Sequence, residues 1–252
     1  MSDRVLVARE GGLLIGTLNR PDKKNAIDTP MIEALYAFLE QGELDAQTRV
    51  IVLRGAGKDF CAGMDLPELL ASADHTLDQN REAALRFGGL FIRMRQIPKP
   101  VVAVVQGRAL AGGCGLATAC DLVLAGESAQ FGYPEVQRGF VPALVLNMLR
   151  RTVGEKLAFD LAATGRLLSA RDAAAAGFIS RVYPDAEFET RVAEVLQALA
   201  ATSATALAFT KQQFYHLDGM AFEAGIRSSA DVNAVSRGTP DFREAIAAFL
   251  KR

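Results

Sequence analysis

The stretch ALAGGCGLATACD, residues 109–121, follows an apolar run and crowds Ala111, Gly112, Gly113 and Gly115 into five positions where a helix begins. A glycine inside a helix costs about 0.5–1 kcal/mol relative to alanine, so such a cluster needs a compensating reason. One reason is close packing against a neighbouring strand. The other is chemical: bare backbone N–H groups at a helix N-terminus, aided by the helix dipole, form a site for a negative oxygen. Spacing alone leaves both open. A second small-residue loop, FCAGMDL at 60–66, also follows an apolar strand. Two such loops can each give one N–H to the same oxygen, the two-donor geometry of an oxyanion hole.

Other chemistries find less support. Gly113-x-Gly115 after a strand is similar to the start of a dinucleotide fingerprint. Thr118, however, stands where its third glycine belongs, and Glu127 lies too close for a ribose ligand expected about 20 residues on. A nicotinamide-dependent reductase is therefore a distant reading, and no GxxxxGK[ST] phosphate loop is present. His75 and His216, the only histidines, sit beside no signature such as GxSxG, which leaves a hydrolytic triad unsupported. Cys61, Cys114 and Cys120 are odd in number and lack CxxC spacing, so neither a disulfide framework nor a metal site is expected.

Charge and length narrow the partners. Lys plus Arg (28) nearly balance Asp plus Glu (29), which leaves no broad basic field for nucleic acid or an anionic membrane. An anionic ligand must be held locally. The start, MSDRVLVAREGG, does not read as a signal peptide, and no segment reaches the about 18 uninterrupted apolar residues of a membrane span, so a cytoplasmic protein is expected. With 252 residues, 50% of them hydrophobic, a sizeable core is available.

The elements that must position the loops read as follows. Residues 5–7 and 13–18 form a hairpin turned at Gly11-Gly12. Asp28 or Thr29 caps a helix that begins at Pro30 and carries Ile32, Leu35, Tyr36 and Leu39 on one face. Residues 50–53 and 101–105 are apolar strands running into small-residue loops, with a helix at about 79–94 between them. A strand at 122–124, a turn at Gly132-Tyr133-Pro134 and a helix at 143–151 follow; helices near 187–201, 203–217 and 240–250 make the C-terminal quarter mainly helical. The pattern is layered α/β with functional loops at strand ends and a helical annex.

FCAGMDL, then ALAGGCGLATACDL, then AQFGYPEVQRGFVP resemble successive motifs of the enoyl-CoA hydratase/isomerase, or crotonase, family, in order and at similar spacing. NRPDKKNAI, GRLLSARDAAAAGFISRV and PDFREAIAAFL are similar to that family as well, so the resemblance covers nearly the whole chain. It implies an α/β fold, a crotonase-like spiral of ββα units over 1–190, followed by a helical C-terminal oligomerisation region over 191–252 that packs trimers, often paired into hexamers. It also implies an acyl-CoA enzyme acting through an enolate, with no cofactor beyond the coenzyme A of its substrate.

Carried over by the same resemblance, the backbone N–H groups of Met64 and Gly112 form the oxyanion hole for the thioester, and Glu135 is one of the family's two catalytic glutamates. The second belongs at position 115, where this chain has Gly115. A lone glutamate is ordinarily a solvated surface charge; facing an apolar pocket, its pKa rises and it becomes an effective proton carrier. Two carboxylates suit hydration of an enoyl-CoA, whereas one can shuttle a proton and shift the double bond. Glu68 is a possible second acid, or lies on a solvated helix face; Asp65 has the same two options, substituting or capping its loop.

Lys23 and Lys24, beside Asn25-Ala26, match a segment near the coenzyme A end, and Ala62, Asp65 and Leu66 correspond to the pantetheine–adenine groove. The coenzyme's phosphate is met within the chain or by Lys251 of a neighbouring copy. Gly113 and Gly115 are expected to clear space for the thioester, with room at Gly115 for a branched or bulky acyl group. Phe131, Phe140 and ALVLNML line an acyl pocket or belong to the core. Cys114, Cys120 and Asp121 are expected to be structural. The alternatives are a non-catalytic acyl-CoA-binding protein and another crotonase-family reaction.

Overall fold

The computed structural model describes residues 3–251. Strands β1 (Val5–Glu10) and β2 (Leu13–Leu18) pair antiparallel around Gly11, whose φ of +58° belongs to the left-handed region that favours glycine. Helix α1 (Thr29–Leu44) starts where the sequence implies: the Asp28 carboxylate accepts the Met31 N–H, and Pro30 sits in the first turn. Its Ile32, Leu35, Phe38 and Leu39 are buried, and Tyr36 is only half-buried. Strand β3 (Val50–Gly55), helices α2 (Leu66–Ala71) and α3 (Leu77–Gln96), and strand β4 (Val101–Val105) follow. A reciprocal Thr76–Gln79 capping box opens α3.

The chain then forms β5 (Arg108–Leu110), α4 (Gly112–Ala119), β6 (Leu122–Gly126), β7 (Gln130–Gly132), α5 (Ala143–Val153), α6 (Glu155–Thr164), β8 (Leu167–Ser169), α7 (Ala170–Ala175) and β9 (Arg181–Tyr183). The main sheet has six strands in the order β1-β2-β3-β4-β6-β9, parallel except for the first pair. Its central strands alternate between two clusters. Ile51, Leu53, Val101 and Ala103 face the large core shared with α1, α3 and α4. Val50, Val52, Val102 and Val104 face α8 (Phe188–Ala201) through Phe188, Val192 and Leu196. Covering on both faces explains why these strands read as unbroken apolar runs. The expected boundary at 190/191 falls inside α8, which belongs to that packing.

The remaining strands form a small second sheet, β5-β7-β8. Helices α9 (Ala204–His216), α10 (Phe222–Ser236) and α11 (Pro240–Phe249) complete the chain, giving the α/β core with a helical C-terminal region. Among the described residues, no single helix is long and apolar enough to cross a membrane.

Helix α9 is tied down through charge. Lys211 on α9 is 7% exposed; its Nζ donates to the carbonyls of Met94 (2.6 Å) and Lys99 (2.9 Å) and pairs with Asp121 at 2.7 Å. The Tyr215 hydroxyl donates to the same carboxylate at 2.8 Å, and so does the Val101 N–H at 2.7 Å. Asp121, two residues beyond the end of α4, is thus a structural hub. Burial lowers the Lys211 pKa, and the Asp121 charge opposes the shift. Lys211→Ala strands a buried carboxylate and two carbonyls, and we expect it to lower stability by about 3 kcal/mol, read as a drop in the urea midpoint at unchanged slope.

Candidate active site

Cys61 bridges Ala109 in parallel, and Ala109 pairs in parallel with Phe131 across β5 and β7. Three segments therefore run side by side in one direction. Met64 lies three residues beyond Cys61, Gly112 three beyond Ala109 and Glu135 four beyond Phe131. Strand register thus delivers all three to the same edge. A fourth segment closes the outside: the Ala62 N–H donates to the Lys24 carbonyl (2.9 Å), Ile27 N–H to Gly63 (2.8 Å) and Asp65 N–H to Ile27 (2.8 Å). These bonds use the residues flanking Met64, so the Met64 amide points away from Ile27.

On that other side the two small-residue loops touch. A Cβ on Gly63 would lie 3.5 Å from the Gly112 nitrogen, and one on Gly112 would lie 3.7 Å from Met64 Cγ. Among the described residues, neither the Met64 nor the Gly112 N–H donates to an internal hydrogen bond. Ala111, between β5 and α4, has φ 50° and ψ −127°, a conformation that costs an L-residue about 1–3 kcal/mol. It is held there at both ends: its N–H donates to Gly132 (2.8 Å), and its carbonyl accepts from Gly115 (2.9 Å).

The glycines themselves answer to packing. A Cβ on Gly113 would fall 2.4 Å from the Cys61 carbonyl oxygen and 2.6 Å from its Sγ. One on Gly115 would fall 2.6 Å from Val145 Cγ1 and 3.0 Å from Phe91 Cζ. The about 0.5–1 kcal/mol cost of helical glycine is less than the about 1–3 kcal/mol of overpacking, so glycine wins at both positions. This corrects two expectations. Gly113 and Gly115 face protein rather than an open thioester channel, and the volume expected at Gly115 for a bulky acyl group is filled by Val145 and Phe91, both buried.

Glu135 lies in the 3-10 turn Pro134–Arg138 and is half-buried. Its Oε2 is buried without a hydrogen-bond partner. Burial raises its pKa, while its own amide and the charge of Arg138 pull it down. The turn is anchored by Tyr133, fully buried, whose hydroxyl bonds Thr118 Oγ1 at 2.9 Å; Thr118 in turn donates to the Cys114 carbonyl at 2.7 Å. Desolvation pushes the Tyr133 pKa well above its usual value, so the group is a neutral anchor.

Other candidates have other partners. Glu68 Oε2 accepts from the N–H (2.9 Å) and the hydroxyl (3.0 Å) of Thr29, so this exposed carboxylate is engaged at the start of α1 and is not held ready as a second acid. Asp65 caps α2 and pairs with Arg20 at 2.8 Å, its bracing role. Lys23, Lys24 and Leu66 are exposed, and the Ala26 carbonyl accepts from Arg20 Nη1 at 2.7 Å. Phe131 is fully buried and stacks edge-on with Phe178, a core position, whereas Phe140 is exposed. Cys61 and Cys114 are buried thiols pushed up to about 12 by desolvation, and the buried Cys120 is shifted in the same direction. Both histidines are exposed. Among the described residues, no group of three or more His, Cys, Asp or Glu side chains is placed to hold a metal ion.

The contributions of Tyr133, Thr118 and Phe91 were not expected from the sequence, whereas Val145 lies within ALVLNML, expected to line an acyl pocket or belong to the core, and is a buried core residue. Thr118 carried a signal, since it stood where a third fingerprint glycine was absent; the others are ordinary apolar positions.

Comparison with known proteins shows the family. The family model of enoyl-CoA hydratase/isomerase matches residues 8–252. A Thermus thermophilus protein that carries a provisional enoyl-CoA hydratase name is 41% identical over 96% of this chain and 96% of its own. The 2,3-dehydroadipyl-CoA hydratase of Escherichia coli is 34% identical over 98% and 96%. A crystal structure of an enoyl-CoA hydratase from Mycobacterium smegmatis superposes with a TM-score of 0.95 at 30% identity, covering 99% of this chain and 97% of the other. The chain belongs to the enoyl-CoA hydratase/isomerase family of enzymes.

Gly113→Ala drives a methyl into backbone and is expected to cost about 3 kcal/mol, whereas Gly112→Ala presses on the Phe87 ring at 3.2 Å, with Met64 Cγ at an ordinary 3.7 Å, and should cost about 1 kcal/mol; urea unfolding of the two variants checks the order.

Proposed function

We propose that this protein acts on an enoyl-CoA thioester through an enolate, with the Met64 and Gly112 amides binding the thioester oxygen and Glu135 carrying the proton. The observation that supports it most directly is the buried, unpartnered Glu135 Oε2 at the same edge as two amides free of internal partners. Negative charge grows on the thioester oxygen only as the enolate forms, so two fixed donors stabilise the transition state more than the ground state.

With one carboxylate, the favoured reaction is a double-bond shift. Glu135 takes a proton from C2 of a 3-enoyl thioester; the C2–H pair becomes the C1=C2 bond of a dienolate, and the carbonyl π pair moves onto the thioester oxygen between the two amides. The same carboxyl group returns the proton to C4, where the former C3=C4 pair forms the new C–H bond; the C1=C2 pair becomes C2=C3, and the oxygen pair re-forms the carbonyl. No water is consumed. A second reading, hydration of a 2-enoyl thioester, is favoured by the names of the relatives; there Glu135 alone takes the water proton and delivers one to C2.

Coenzyme A is to be held locally, by Lys24 and the groove formed with Ala62, Asp65 and Leu66. Assembly as a homotrimer or a dimer of trimers is part of this proposal; it is supported by Phe214, Phe222, Ile226 and Phe249, exposed on α9–α11. The cytoplasmic setting is proposed with it.

Glu135→Gln is expected to lower turnover about 10²–10⁴-fold on the thioester that is the substrate, assayed with matched 2-enoyl and 3-enoyl thioesters in heavy-oxygen water. Label uptake reports hydration, and a moved double bond without label reports the shift. Because burial raises the folded pKa of Glu135, its base form is lost as pH falls through a value higher than that of an ordinary glutamate, and kcat/KM should fall there. The same sign means that ionised Glu135 destabilises the fold at neutral pH, so Glu135→Gln should melt higher than wild type there and lose that advantage in acid. Full activity in the variant would remove Glu135 from the mechanism. An inactive wild type across chain lengths would favour the acyl-CoA-binding alternative.

A further inference from the structure

The motif resemblance implies a second carboxylate at position 115, where this chain has glycine, and the surrounding structure does more than omit it. Gly115 is buried in the first turns of α4, and the space its side chain would enter is occupied by two apolar groups from different helices. Val145 on α5 is 3% exposed and Phe91 on α3 is 6% exposed. Val145 Cγ1 stands 2.6 Å from the position a Cβ would take, and Phe91 Cζ stands 3.0 Å from it. A branched side chain at that range cannot swing aside as the end of a long flexible chain does. Phe91 is itself fixed edge-on against Phe87, centroids 4.9 Å apart, and Phe87 borders Gly112.

We propose that Val145 and Phe91 are specificity-determining residues: by filling the Gly115 face of α4 with hydrocarbon, they keep the site to one carboxylate and direct it toward shifting the double bond rather than adding water. The inference rests on the reading of Glu135 as the proton carrier. Hydration forms a C3–O bond and a C2–H bond from one water, so a water must be oriented beside the β-carbon, and apolar walls offer it no acceptor. The shift moves one proton from C2 to C4 through the single carboxyl group and needs no second polar group. A lost glutamate alone would leave a cavity that solvent or a neighbouring acid can occupy. The packing of Val145 and Phe91 instead makes its reintroduction by one substitution sterically unfavourable.

The test is a cycle read by product ratio and by melting temperature. Gly115→Glu, Val145→Ala and the double variant are each given 2-enoyl and 3-enoyl thioesters in heavy-oxygen water. Gly115→Glu alone is expected to melt lower than wild type and to leave the ratio of labelled hydroxyacyl product to shifted alkene unchanged. The double variant, with space for the carboxylate, is expected to raise that ratio at least tenfold over both wild type and Val145→Ala. A purely structural role for Val145 would change stability and leave the ratio alone. Gly115→Ala with and without Val145→Ala supplies a milder pair: the proposal requires the loss in melting temperature caused by Gly115→Ala to shrink when Val145 is cut back.

Absence of that coupling overturns the proposal. So does a Gly115→Glu variant that melts like wild type and hydrates as well as the double variant, or a well-folded, active double variant with the wild-type ratio. These failures leave the assignment of Glu135 standing. If wild type turned over neither thioester, that assignment would fail, and this inference with it.

Discussion

Parallel register across Cys61, Ala109 and Phe131 is the constraint on which the site depends. Adjacent parallel strands end at the same edge, so the residues that follow them emerge together wherever they lie in the sequence. Met64, Gly112 and Glu135 are separated by long stretches of chain, yet each leaves this row within four residues. A slip of one residue in any of the three segments would carry its group away from the other two. The fold is therefore specified most tightly where two strands are very short, at β5 and β7, and the bridging bonds of Gly132 to Ala111 and Cys61 to Leu110 hold them.

Close approach is the second consequence of that register. The α4 helix can sit over Cys61 only because Gly113 has no side chain, and it can sit under Val145 and Phe91 only because Gly115 has none. The amide of Gly112 stays unsatisfied internally because the strained Ala111 turn directs its own N–H and carbonyl to Gly132 and Gly115 instead. Packing and chemistry thus draw on the same small residues, and the two explanations for the glycine cluster are complementary: Gly113 and Gly115 serve the packing, while Gly112 leaves a donor free. The far end of α4 is fixed by a different force, the buried Lys211–Asp121 pair, which connects α9 to the segment that follows α4.

Much of this was legible in the residues. β2 and β4 were readable to the residue because glycine, proline or polar residues bound their runs, and the α1 cap was readable because Asp28 and Pro30 sit where capping chemistry needs them. β5, β8 and β9 were not: three residues show no periodicity, and tertiary pairing alone makes them strands. Helix α6 was missed because it follows α5 across a single glycine, Gly154, and α10 because its apolar face is largely exposed. In the site, motif order pointed to Met64, Gly112 and Glu135. What filled the space at Gly115 was hidden, because Val145 and Phe91 arrive from remote helices. The partner of Glu68 was hidden too, since nothing local tells a carboxylate on α2 that Thr29 of α1 will be beside it.

The central claim is that the Met64 and Gly112 amides converge on one thioester oxygen. Infrared difference spectroscopy of a substrate carrying carbon-13 at the thioester carbonyl, bound to the Glu135→Gln variant so that it is not consumed, tests this most directly. Two strong donors polarise the carbonyl, so the account predicts a stretching frequency lower in the complex than for the same thioester free in water. A frequency equal to or above that of the free thioester would contradict it.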